Sequence, residues 1–87
     1  MNYELLRSRQ ALRQLRHLQK THSPIVPLII AAITALSDNP RPSGATKLVN
    51  RPEWRVRVGN YRVLYQVDDK SKTVTIASIS HRRDIYR

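Results

Sequence analysis

The sequence predicts a single α+β domain, in which an N-terminal strand and a helical hairpin pack on a small antiparallel β-sheet. Apolar residues recur at helical spacing as far as residue 36, then alternate with polar ones from residue 54. Between these two regimes lies a breaker segment, Asp38-Asn39-Pro40-Arg41-Pro42-Ser43-Gly44. At 87 residues the chain is expected to be one domain, 1–87, with no internal repeat, low-complexity tract or linker.

Tyr3 to Arg7 is short and mixed, as an edge strand is. Ser8 is placed to cap a helix running to about His22, with Ala11, Leu12, Leu15 and Leu18 forming its apolar stripe. Arg9, Arg13, Arg16 and Lys20 form a second, basic stripe, which is either a solvated face or a rail for phosphate or an acidic partner. Ser23-Pro24 predicts the start of a second helix, with Ser as N-cap and Pro at the first helical position; Pro27 still lies in the first turn, where a missing N–H costs little. Leu28 to Leu36 is apolar almost all round, which predicts a helix sandwiched between other elements. Beyond the loop, Lys47-Leu48-Val49 is a candidate short strand. Trp54, Val56 and Val58 alternate with Arg55 and Arg57, and Gly59-Asn60 is a two-residue hairpin signal. Tyr61 to Val67 and Thr73 to Ser80 are the next two strands, joined by the polar turn Asp68 to Lys72.

Sixteen Lys and Arg face six Asp and Glu, a net charge of +10. That surplus favours a polyanion or an acidic partner protein. Cysteine is absent, which excludes disulfides and thiolate-bound zinc. The longest apolar stretch, Ile25 to Leu36, falls short of the ~20 residues that span a bilayer. The first residues carry no charged n-region before an apolar run, so no membrane association and a cytoplasmic location are expected. His17, His22 and His81 lack metal-ligand spacing, and two glycines are too few for a phosphate-binding loop, so neither metal nor cofactor is expected.

If Gly59-Asn60 is the whole turn, Val58 pairs with Tyr61, Val56 with Val63, and Arg57 lies opposite Arg62. Arg55 shares their face, while Trp54, Val56, Val58, Tyr61, Val63, Tyr65 and Val67 take the packing face. Like charges directly across strands are destabilising. Three arginines so placed either splay into water or form a phosphate cradle. The tail, His81-Arg82-Arg83-Asp84-Ile85-Tyr86-Arg87, follows a strand adjacent to this face and is positioned to approach it with an imidazole, guanidiniums and a phenol.

The pair Lys47-Leu48, the strand Trp54-Arg55-Val56-Arg57-Val58, the run Gly59-Asn60-Tyr61-Arg62 through Tyr65, and the closing His81-Arg82 with Tyr86 resemble the RelE/ParE superfamily of bacterial and archaeal toxins. The resemblance covers nearly the whole chain and implies the RelE-like fold. Within the superfamily it points to the RelE-like branch, toxins of type II toxin–antitoxin systems that act as ribosome-dependent mRNA endonucleases. Carried over residue by residue, it implies catalytic roles for Arg55, Arg57, Arg62, Arg82 and Tyr86, and RNA contacts from Lys47, His81 and Arg83. Arg55 and Arg57 stand where the family often has lysine, which keeps the charge but removes a tunable pKa. The implied partners are a cognate RelB-like antitoxin, whose acidic amphipathic segment covers the basic surface in a hetero-oligomeric complex, and mRNA presented in the ribosomal A site.

RNA supplies its own nucleophile, the ribose 2′-OH, so cleavage needs positioning, a base, charge stabilisation and help for the leaving group. Arg55, Arg57 and Arg62 suit the developing phosphorane charge, and Arg82 suits bracing or protonating the leaving oxygen. Tyr86 is the candidate base, since neighbouring guanidiniums favour a phenolate; His81 is its rival. The expected products are a 2′,3′-cyclic phosphate and a 5′-OH, without a metal. Two alternatives stay open: a ParE-like inhibitor of DNA gyrase, and a non-catalytic RNA-binding protein.

Overall fold

In a computed structural model, which describes residues 2–81 and 83, the chain runs β1 (Glu4–Arg7), α1 (Arg9–Thr21), a 3₁₀ turn (Ser23–Ile25), α2 (Val26–Ala35), β2 (Thr46–Lys47), β3 (Trp54–Val58), β4 (Tyr61–Asp68) and β5 (Thr73–His81). The strands form one sheet in the order β1-β5-β4-β3-β2. β2 to β5 pair antiparallel, but β1 runs parallel to β5, so the sheet is mixed rather than wholly antiparallel. Parallel neighbours need a long connection, and the helices and three intervening strands supply it.

Ser8 is extended, and its hydroxyl oxygen accepts from the Ala11 N–H at 3.0 Å, the expected N-cap. The same hydroxyl donates to the Ala77 carbonyl at 2.7 Å. The basic stripe of α1 (Arg9, Arg13, Arg16, Lys20) is exposed. Ser23 does not cap α2. It opens the 3₁₀ turn, its carbonyl accepts from Val26, and the α-helix starts only there. Tight i→i+3 bonding suits a reversal that must carry Pro24 and Pro27, neither of which can donate. Nor is α2 sandwiched. Val26, Ile29 and Ile33 are buried, but Leu28 is 58% and Ile30 43% exposed. In a two-layer fold a helix is covered on one side only, however apolar its other side is. Strand β2 is shorter than the Lys47-Leu48-Val49 expectation: the chain turns away at Asn50, whose φ is 60°, and Val49 is exposed.

The core lies between layers. Ala11, Leu18, Val26, Ile29, Ile33 and Leu36 from the helical side meet Val58, Val63, Tyr65, Val74, Ile76 and Ile79 from the sheet. Each large apolar side chain so buried contributes roughly 1.5–3 kcal/mol. Val74 and Ile76 obey strand alternation, but Ile79 is on the same face as Ile76 although it lies three positions along the strand. A bulge resolves this: Leu64 pairs with Ser78 and Tyr65 with Ile76, so Ala77 is the extra residue on β5. The Ser8 hydroxyl satisfies the bulged residue's carbonyl.

The loop between α2 and β2 is held over the sheet by side chains. The fully buried Tyr65 donates its hydroxyl to the Pro40 carbonyl at 2.7 Å. Arg41 forks onto both carboxylate oxygens of Asp69, at 3.3 and 2.9 Å, and lies 5.4 Å from the Trp54 ring centre. Tyr3 donates to the same carboxylate at 2.6 Å. The hydrogen bonds from Arg41 and then Tyr3 hold Asp69 below its ordinary pKa.

Tyr65→Phe leaves the Pro40 carbonyl without its donor and is expected to cost about 1–3 kcal/mol in urea denaturation. Burial pushes the Tyr65 phenol up to about 12. Above pH ~10 the unfolded chain therefore releases this proton before the folded one does, and stability falls as pH rises from there toward the folded value. Denaturation curves across pH 9–12 should show that this component of the alkaline decline is missing from Tyr65→Phe.

Candidate nucleic-acid interface

The β3–β4 hairpin closes as its sequence predicts. Val58 pairs with Tyr61, Arg57 with Arg62, Val56 with Val63, and Arg55 with Leu64. Gly59 has φ +59° while Asn60 keeps negative φ, the pattern of a type II′ turn. Trp54, Val56, Val58, Tyr61, Val63, Tyr65 and Val67 all belong to or pack against the core. The arginines therefore occupy the sheet face turned away from the helices.

Two rows cross that face. One runs Arg57, Arg62, Ser80; the other runs Thr46, Arg55, Leu64, Ser78. Opposed residues in such a ladder stand about 4.5–5.5 Å apart at Cβ, so Arg57 and Arg62 are immediate neighbours. Asp68 shares the face but lies six residues along β4, about 20 Å away, and its Oδ1 accepts from the Lys70 and Ser71 N–H groups of its own turn. Among the described residues, neither Arg55 nor Arg57 has a carboxylate partner. A cavity of about 150 Å³ adjoins Arg57, Arg62 and the turn residues Gly59, Asn60 and Tyr61.

Arg57 is exposed and Arg55 half-buried, but Arg62 is only 4% exposed. Of the two alternatives, that in which all three arginines splay into water does not hold for Arg62, and the expectation that Arg62 is exposed is corrected. It belongs to a central strand, between β3 and β5, with Leu64 buried beside it. A guanidinium in such surroundings interacts with an anion less screened than one in water.

The other anticipated residues divide. Lys47 pairs with Trp54, which puts it on the opposite face from the arginines, and its ammonium donates to the Arg51 carbonyl. His81 pairs with Tyr61, its ring 5.2 Å from the tyrosine ring and nearly perpendicular to it. That is the helix side of the sheet, so His81 does not join the arginine rows. The cause is the β5 bulge, which reverses the facing of every residue beyond Ala77. Arg83 is exposed, and its backbone N–H donates to His81 Nδ1 at 3.3 Å. Arg82 and Tyr86 lie outside the described residues. Sequence reasoning also missed that all three histidines converge, because helix-to-strand packing leaves no periodic signal.

Comparison with known proteins agrees with this architecture. Residues 5–86 match the family model described as the ParE toxin of type II toxin–antitoxin systems, parDE. The chain belongs to this toxin family, within the wider group of RelE, ParE and YoeB toxins. It is 50% identical over 34 residues to toxin RelG of Mycobacterium tuberculosis, a match spanning 39% of each chain. In three dimensions it resembles the RelBE2 toxin–antitoxin complex of M. tuberculosis, with TM-score 0.81 and 27% identity over 94% of this chain and 93% of that one. It also resembles the archaeal RelE–RelB complex of Pyrococcus horikoshii, with TM-score 0.77 and 27% identity over 94% and 97%.

Two substitutions test the contrast in burial. Arg57→Ala relieves cross-strand repulsion at an exposed site and should leave unfolding free energy within about 0.5 kcal/mol of the native chain. Arg62→Ala empties a buried site and should cost about 1–3 kcal/mol. Equal, negligible effects would contradict the burial of Arg62.

Proposed function

We infer that this toxin is a ribosome-dependent mRNA endonuclease that arrests translation. The observation that carries the reading is the arginine row: Arg57 directly opposite Arg62, with Arg55 in the neighbouring row of the same face, and, among the described residues, neither Arg55 nor Arg57 paired with a carboxylate. Such a row suits the dianionic phosphorane formed when a ribose 2′-OH attacks the adjacent phosphate. Three fixed cations stabilise charge that develops only in the transition state. The 2′-OH loses its proton, the 5′-oxygen leaves with one, and a 2′,3′-cyclic phosphate remains. Arg82 is assigned to the leaving oxygen. Because the His81 ring lies on the helix side against Tyr61, the reading gives the base to Tyr86 and leaves Arg83 as a contact to flanking RNA, while Lys47, on the opposite face from the arginines, is given no RNA contact. The chemistry invoked asks for no metal or cofactor.

The same cationic surface calls for a partner that masks it. The structural relatives are complexes with RelB antitoxins, and a chain of net charge +10 suits an acidic, amphipathic antitoxin segment in a hetero-oligomeric complex. Among the described residues, no helix is long and apolar enough to cross a membrane, and the ribosome as target places the action in the cytoplasm. A second reading, inhibition of DNA gyrase, is favoured by one observation: the matching family model is that of ParE.

Expression of the chain without its antitoxin is expected to stop incorporation of labelled amino acids before that of labelled thymidine. If DNA synthesis fails first and purified chain blocks gyrase supercoiling, the gyrase reading replaces this one. Tyr86→Phe removes only a hydroxyl. With mRNA already seated on ribosomes, it should lower the single-turnover cleavage rate by about 10²–10⁴-fold with ribosome binding unchanged. A silent Tyr86→Phe beside an inactive His81→Gln would move the base to His81.

A further inference from the structure

His17, His22 and His81, the only histidines of the chain, converge on one cavity of about 450 Å³. His17 comes from α1 and His22 from its C-cap; His81 ends β5, turned to this side by the bulge. Leu18 and Ile79, both buried, add apolar lining. Tyr61 stands between two imidazoles, 6.4 Å from His22 and 5.2 Å from His81 between ring centres. Arg13 contributes a guanidinium from the basic stripe of α1, and among the described residues no carboxylate lines the cavity.

The hydrogen bonds assign the neutral tautomers. The Thr21 hydroxyl donates to the His17 carbonyl at 2.9 Å, so its oxygen accepts from His22 Nδ1 at 3.0 Å, and His22 Nε2 is left as an acceptor. His81 Nδ1 accepts from the Arg83 N–H, so His81 Nε2 carries the proton and is a donor. One acceptor and one donor flanking an aromatic ring match the mixed edge of a nucleobase, and the guanidinium matches a phosphate. The volume falls within the ~300–1,000 Å³ that small-ligand pockets occupy. Among the described residues, no group of side chains is arranged to hold a metal ion. Tyr61 also lines the small cavity beside Arg57 and Arg62. The two cavities meet at Tyr61 although they open on opposite faces of the sheet, so an RNA strand that reaches both has to pass round the end of the β3–β4 hairpin.

We propose that the three-histidine cavity is a nucleotide subsite, receiving the base of a nucleotide that flanks the scissile phosphate against Tyr61, Leu18 and Ile79, and its phosphate at Arg13. The place of that nucleotide relative to the cut rests on the endonuclease reading; the capacity of the cavity to bind it does not.

The test is a titration of the full chain with AMP, CMP, GMP and UMP, followed by the ring C–H resonances of the three histidines. Inorganic phosphate, adenosine and an octaglutamate peptide are the comparison ligands. At least one nucleotide should move all three resonances saturably and bind about tenfold tighter than phosphate. Arg13→Ala should weaken it by about tenfold, whereas Lys70→Ala, which removes an exposed cation far from the cavity, should leave it unchanged. Equal binding of phosphate, no effect of Arg13→Ala, or movement with octaglutamate alone overturns the subsite. Cleavage of ribosomal mRNA by the native chain, with no histidine resonance moved by any nucleotide, overturns the subsite and spares the endonuclease reading. Nucleotide binding without cleavage does the reverse.

Discussion

Gly59 holds φ at +59°, and with Asn60 it closes the β3–β4 hairpin in two residues. That backbone constraint sets the register on which everything else depends. Strand side chains alternate with period two, so a slip of one residue would carry Val56, Val58, Val63 and Tyr65 out of the core and turn the arginines into it. The turn is also seated from below: a Cβ on Gly59 would come within 3.3 Å of Ile25 Cδ1, in the 3₁₀ segment before α2. The α-helical layer and the arginine face are therefore coupled through one turn. Packing selects the register on one side of the sheet, and the same register assembles the cations on the other.

Placing Arg57 directly across from Arg62 works against stability, because like charges opposed across strands repel. The fold offsets this with a core of branched aliphatic residues and Tyr65, and with the clamp of Tyr3, Arg41 and Asp69 that pins the loop above Trp54. Burial of Arg62 makes the arrangement more consequential. A guanidinium held in the sheet keeps its geometry and interacts with any nearby anion with less screening from water than an exposed one. A net charge of +10 favours a polyanionic or acidic partner for this surface.

Much of this was legible in the sequence, for identifiable reasons. The alternation Trp54-Arg55-Val56-Arg57-Val58 and the turn residues Gly59-Asn60 specify a hairpin locally, so the Arg57–Arg62 pairing followed without tertiary information. Ser8 as a helix cap is likewise a local signal. What escaped was set by long-range contacts. Nothing near Ala77 announces a bulge; it is fixed by Ile76 and Ile79 both facing the helices and by Ser8, far away in sequence. That bulge decides the side on which His81 lies. The burial of Arg62 depends on its place in a central strand, and the exposure of Leu28 and Ile30 on the absence of a third layer. Neither is encoded in local periodicity.

Joint binding of one phosphate by Arg57 and Arg62 is the step on which the proposed function turns. It is tested most directly by a double-mutant cycle, Arg57→Ala with Arg62→Lys, in single-turnover cleavage of mRNA on ribosomes. The lysine keeps a cation at the buried position and removes the guanidinium fork. If the pair acts as a unit, each single change should slow cleavage severely, and the double variant should be little slower than the worse of the two. Losses that multiply, or single variants that cut at the native rate, would contradict the claim.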